Sequence, residues 1–173
     1  VAFFGIYYKL QNFLMMPVNG LGQAAIPVVG FNYGSGQSDR VKQAWKVLLP
    51  TGVVFALCGT AVFLLFPAQL LGLFSASNEM LAFGVPALRI ISVMFLFAVI
   101  TILCGYFASG LGNGVVNMIG GALRQLVVLV PCLWLLIRTA GIDKAWFAFW
   151  VSEVVACAYS LWAVRKELRN KVK

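Results

Sequence analysis

The sequence predicts an all-α, polytopic membrane helix bundle with about five transmembrane helices. Three observations predict it. Hydrophobic residues make up 62% of the 173 and charged residues 10%, whereas a soluble domain carries about 25% charge. The mean hydropathy is +0.94. Apolar runs long enough to cross a bilayer, which takes about 20 residues, alternate with short breaks rich in Gly, Ser, Asn and Asp. In water a surface so poor in charge would leave broad apolar patches and aggregate. The lipid bilayer is therefore the first expected partner.

The first helix is expected at about residues 5–33. It contains Pro17, Gly20, Gly22, Pro27 and Gly30, which neighbouring helices and close packing can accommodate inside a membrane bundle. Gly34 to Asp39 form a break, with Ser38 or Asp39 placed to cap the second helix at about 41–66. Pro67 opens a nearly uncharged connection, and the third helix, about 80–108, holds Pro86 and Arg89. After the Gly110-Leu111-Gly112-Asn113-Gly114 turn, the fourth covers about 115–137 and includes Arg124 and Pro131. Gly141-Ile142-Asp143-Lys144 is a tight connection to the fifth, about 145–164. Residues 1–164 thus read as one transmembrane unit and 165–173 as a basic cytoplasmic tail.

Basic residues orient the bundle. Arg40, Lys42, Lys46 and the tail cations Arg165, Lys166, Arg169, Lys171 and Lys173 fall on one side, and Lys9, Arg138 and Lys144 on the other. The richer side is expected to be cytoplasmic, with the C-terminus inside, and the tail is suited to anionic headgroups. The formal charge of +8 thus sits on membrane flanks, and no nucleic-acid partner is expected. Trp45, Trp134, Trp146, Trp150 and Trp162 lie toward segment ends, as interface belts do.

No metal site is readable. The chain has no His, and Cys58, Cys104, Cys132 and Cys157 are far apart in apolar runs, where a zinc site needs clustered ligands. No enzyme is expected either: Asp39 and Asp143 lie in predicted loops, and no HExxH or nucleophile–base pattern exists. The chain opens in an apolar run at Val1, without an initiator Met or the charged region of a signal peptide. The expectation is a piece of a longer polypeptide.

The most specific pattern lies in the first segment. Pro17, Gly20, Ala24, Pro27, Gly30, Asn32, Tyr33 and Gly34 match in register the P-x-x-G-x-x-x-A-x-x-P-x-x-G-x-N-Y-G-A pattern of the multidrug and toxic compound extrusion (MATE) transporters, with Ser35 where alanine is commoner. The chain resembles that family over essentially its whole length, as the last five of its twelve helices. Arg89, the Gly105 to Gly112 stretch and Glu153 suit the same C-terminal lobe. The resemblance implies part of the C-terminal lobe of a twelve-helix transporter in the plasma membrane, with the N-terminal lobe of the same polypeptide as its partner. It further implies export of a small organic, often cationic, substrate in exchange for Na+ or H+ by alternating access, with no cofactor beyond that coupling ion. A lipid-linked precursor flippase of the same superfamily, or a non-transporting assembly subunit, are the alternatives.

Ionisable and polar residues within apolar segments mark candidate sites. Asn12, Asn19 and Gln23 fall at spacings of seven and four and share one helix face. With Gln11 they either line a wet cavity, on a helix softened by Pro17 and Pro27, or hydrogen-bond across helices. Glu153 either carries a proton or pairs with Arg89 or Arg124. Arg124 alternatively snorkels to the inner interface. Lys9 is read as a headgroup anchor rather than a substrate-facing charge.

Overall fold

A computed structural model describes residues 2–74, 78–140 and 146–172, and every regular element among them is helical. The turn residues 141–144, Lys173 and the start of the fifth expected helix at 145 lie outside the described residues. Among the described residues, eight α-helices run α1 Ala2–Gly34, α2 Ser38–Leu65, α3 Pro67–Gly72, α4 Asn78–Ser92, α5 Phe95–Gly110, α6 Gly114–Ala122, α7 Leu129–Ala140 and α8 Trp146–Lys171. A π-helical turn, Leu123–Val127, joins α6 to α7. Four spans of these residues are long and apolar enough to cross a membrane: Tyr8–Gly34, Ser38–Leu65, Gly114–Arg138 and Phe147–Lys171. A fifth forms if α4 and α5 count as one span bent by 43°.

Within the 33-residue α1, Pro17 and Pro27 remove two amide donors without ending the helix. What ends it is a glycine in the left-handed region. Gly36 has φ 72°, and the Gln37 and Gly36 amides donate to the Asn32 and Tyr33 carbonyls at 2.9 and 3.1 Å. This bond pair is a Schellman closure. It explains the Asn32-Tyr33-Gly34 ending locally, while Asn32 Nδ2 donates to the Val28 carbonyl at 2.8 Å. Neither Ser38 nor Asp39 caps α2. Gln37 holds the cap position without a side-chain bond, and Asp39 sits in the first turn, where its charge complements the helix dipole.

The second expected helix is α2, and the connection expected after it contains the short helix α3, which Pro67 starts at its first turn. The third resolves into α4 and α5. The bend between them leaves carbonyls without helical donors, and the bundle supplies replacements: Thr60 Oγ1 of α2 donates to the Ser92 carbonyl at 3.1 Å. Ser92 Oγ donates back to the Arg89 carbonyl at 3.0 Å.

The centre of the bundle is α5, which packs on α1, α2, α6 and α8. Phe95, Val99, Leu103, Cys104 and Phe107 are fully buried on it. Trp45 rests against Phe107, with ring centroids 4.7 Å apart, so it fills the interior and not a belt. Trp134 and Trp162 are exposed beneath Arg138 and Lys166, as interface residues are. The α1–α5 crossing depends on Gly110: a Cβ there would meet Val29 Cβ at 2.8 Å and the Ile26 carbonyl at 3.1 Å.

The basic residues from Arg165 to Lys171 continue α8. A clamp holds this end to the turn before α6. Asn113 Nδ2 donates to Glu167 Oε1 at 2.8 Å, Lys171 Nζ pairs with Glu167 Oε2 at 2.9 Å, and Lys171 Nζ also donates to the Leu111 carbonyl at 3.0 Å.

Candidate functional site

A cavity of about 860 Å³ opens between the start of α1, the α4–α5 bend, the π turn and the first half of α8. Its polar groups include Lys9, Gln11, Arg124, Gln125, Ser152 and Glu153. Ile91, Met94, Phe95, Leu129 and Phe149 supply apolar walls. The size matches the pockets that enclose drug-sized organic molecules, about 300–1,000 Å³, as does the combination of apolar wall and few polar groups.

Each charged group is placed by its own element. Tyr8 and Lys9 lie three and four residues after Gly5, and all three reach the cavity from one face of α1. Arg124 sits in the π turn, where the Val128 amide bonds the Leu123 carbonyl five residues back at 3.2 Å. Pro131 contributes to this irregularity, because it has no N–H to offer the Val127 carbonyl four residues earlier. Turns of this kind recur at functional positions.

The π turn sets Arg124 against α8, and Arg124 Nε donates to Glu153 Oε1 at 2.6 Å. The pair is largely sheltered, with side chains 18% and 11% exposed. At such low exposure the attraction has to offset desolvation of both ions, and removing one partner strands the other. Glu153 Oε2 is buried with no hydrogen-bond partner among the described residues. Ser152 Oγ is engaged with the Phe149 carbonyl at 3.0 Å.

The structure thus brings together three of the candidate residues, Gln11, Arg124 and Glu153, and separates the rest. Glu153 pairs with Arg124 and not with Arg89, which is exposed in the last turn of α4. Arg124 turns to that carboxylate and does not snorkel. Asn19 faces α5, where its Oδ1 accepts from the Tyr106 hydroxyl at 3.3 Å. Asn12 and Gln23 are exposed and do not line the cavity. The face of α1 that does is the one carrying Lys9, a residue read from the sequence as an anchor. The recurrence of Gly5, Tyr8 and Lys9 at helical spacing was the available signal. Among the described residues no cluster of His, Cys, Asp and Glu could hold a metal ion.

Comparison with known proteins fixes the lineage. The MatE family model matches residues 1–135. The chain is 27% identical over 175 aligned residues to the multidrug export protein MepA of Staphylococcus haemolyticus, covering 99% of this chain and 37% of that protein. It is 28% identical to the probable multidrug resistance protein NorM of Rhizobium meliloti, covering 98% and 38%. Among solved structures, it superposes on a ligand complex of the MATE multidrug transporter DinF-BH with a TM-score of 0.85, at 28% identity over 94% of this chain and 36% of that one. A MATE structure in the bent conformation shares the fold with a TM-score of 0.88 at 21% identity, over 98% of this chain and 38% of that one. The chain therefore spans little more than a third of the length of these relatives. On the family match, which covers well over half of its residues, the chain belongs to the MatE family of multidrug efflux transporters.

Proposed function

We propose that the full-length protein is a secondary active antiporter that exports small organic compounds, many of them cationic, in exchange for Na+ or H+. The observation that carries this reading is the cavity itself, an apolar-walled chamber of about 860 Å³ with an ion pair at its edge, set within a bundle of membrane-length helices. Alternating access would have this lobe rock against the remainder of the polypeptide, exposing an internal site first to the cytoplasm and then outside. The turns at Gly36 and Gly112 and the basic end of α8 face the cytoplasm in this arrangement, by the excess of Lys and Arg on that side. The cavity lies toward the opposite end, beside the start of α1 and of α8. Glu153, the one carboxylate among the described residues of its wall, is the candidate for sensing the coupling ion.

The test is ethidium efflux from proteoliposomes holding the full-length protein, with a Na+ or a proton gradient imposed separately. Efflux driven by one gradient and abolished when it is dissipated supports the reading. Efflux indifferent to both gradients, or no efflux, overturns it.

A further inference from the structure

The charged end of α8 is sorted by the helix into two sides. Lys171 turns inward, to Glu167 and the Leu111 carbonyl, whereas Arg165, Lys166 and Arg169 are exposed on the opposite side. Those three continue a strip that begins well inside the apolar part of the helix. Val151, Val154, Val155, Ala158 and Trp162 are exposed, and at 3.6 residues per turn they and the three cations fall within about a third of the helix circumference. The other side, with Ala156, Cys157, Ser160, Ala163 and Val164, is buried in the bundle. The strip therefore changes chemistry along its length, from small aliphatic side chains to an aromatic ring to positive charge. Lys166 Nζ stands 5.0 Å from the centroid of the Trp162 ring, and the Tyr159 ring lies against the same indole with centroids 6.3 Å apart. The two carboxylates of α8 do not share this face: Glu153 is paired with Arg124, and Glu167 is gripped by Asn113 and Lys171.

We propose that this face of α8 is the seat of one anionic phospholipid, with its phosphate received by Arg165, Lys166 and Arg169. The occupant has to match both halves of the strip. A soluble anion or an acidic peptide answers the cations and leaves the valines unmatched, and a neutral lipid does the reverse. From Val151 to Trp162 the helix rises about 16 Å, close to the hydrocarbon depth of one leaflet, about 15 Å. An acyl chain lying along the valines and Ala158 thus brings the headgroup just past Trp162, at the level where indoles collect in membranes. Small side chains let the chain approach closely, and each cation adds attraction for an anionic headgroup. Of the basic residues near the carboxyl end, the structure assigns three to the lipid and excludes Lys171, which is committed to Glu167. The seat does not depend on what the protein carries, so lipid binding and the export reading can fail separately.

The probes are phosphatidylglycerol and phosphatidylcholine with identical acyl chains, added to the purified full-length protein in neutral detergent. Native mass spectrometry counts the lipids retained, and the readout is the affinity ratio of phosphatidylglycerol to phosphatidylcholine. Wild type is expected to favour phosphatidylglycerol and to retain one molecule of it. Arg165→Gln, Lys166→Gln and Arg169→Gln should each lower the ratio about fivefold, and Lys166→Arg should keep it. All three side chains are exposed, so the variants should fold, and the ratio cancels any general loss of intact protein. The control is Arg138→Gln, which removes the same charge from the other cation–tryptophan pair, on Trp134, and should leave the ratio unchanged. A wild type without preference, or an equal fall in Arg138→Gln, shows attraction by net charge alone and overturns the inference. Ala158→Phe fills the apolar half without touching a charge and should weaken phosphatidylglycerol binding. Unchanged binding in that variant, or displacement of the lipid by glycerol 3-phosphate, assigns the cations to a soluble anion and also overturns it.

Discussion

Arg124 Nε and Glu153 Oε1 meet at 2.6 Å, tying the π turn of the fourth span to the last helix. Among the described residues this span is the least buried of the four continuous ones, so few other contacts among them hold it at that level. The pair is expected to matter more for holding the wall than its single hydrogen bond suggests.

Glu153→Leu and Arg124→Leu should each destabilise the full-length protein by about 3 kcal/mol, since each strands its sheltered, charged partner. The double variant Arg124→Leu/Glu153→Leu should recover most of that loss. Thermal unfolding in detergent, analysed as a double-mutant cycle, checks this; additive losses would show that the two residues act separately.

Pro131→Ala should weaken the same coupling without touching either charge. Restoring an N–H opposite the Val127 carbonyl lets the π turn relax toward α geometry, which rotates Arg124 away from α8. The coupling measured in the cycle is expected to fall from about 3 kcal/mol to below about 1 kcal/mol.

Gly110→Ala should cost about 1–3 kcal/mol, because the added methyl meets Val29 and the Ile26 carbonyl at the α1–α5 crossing. Gly121→Ala is the control. It has open space around it and lies in a helix interior, so it should be neutral or stabilise by up to about 1 kcal/mol. Comparing their melting temperatures decides whether close approach or glycine content governs this bundle.

Asn19 and Gln23, equivalent by spacing, should behave differently. Asn19→Leu loses the bond from Tyr106 and should lower folded protein, as should Tyr106→Phe, by about 0.6 kcal/mol for an interhelical bond of this kind. Gln23→Leu, on an exposed face, should leave the amount of folded protein unchanged. Quantifying folded protein after membrane extraction tests both; an equal loss in all three variants would contradict the placement.

The helical spans were legible because lipid imposes one rule: a long apolar run must satisfy its own backbone, and only a helix does so within one segment. Their irregularities were not legible. The bend after Ser92 has no proline or glycine at its apex, and it is sustained by a hydroxyl from Thr60, distant in sequence. The π turn depends on how Pro131 and the α8 contact act together. Hydropathy ended the last helix near Val164, yet its backbone bonding continues through charged residues to Lys171, because polar side chains do not interrupt a helix. At the site, an intramembrane carboxylate and arginine pointed to a pair, and the pair exists. Which arginine it was required knowing that the π turn faces α8, and that Lys9 borders the same chamber required knowing how α1 is rotated about its axis.

The Glu167 clamp has a practical corollary. Asn113 and Lys171 grip one carboxylate, so force applied at the carboxyl end of the chain is delivered directly to the elbow between the third and fourth spans. An affinity tag fused immediately after this point would pull on that elbow, and a flexible spacer would relieve it. By the same leverage, a binder raised against the last helical turn would act as a wrench on the bundle as well as a label.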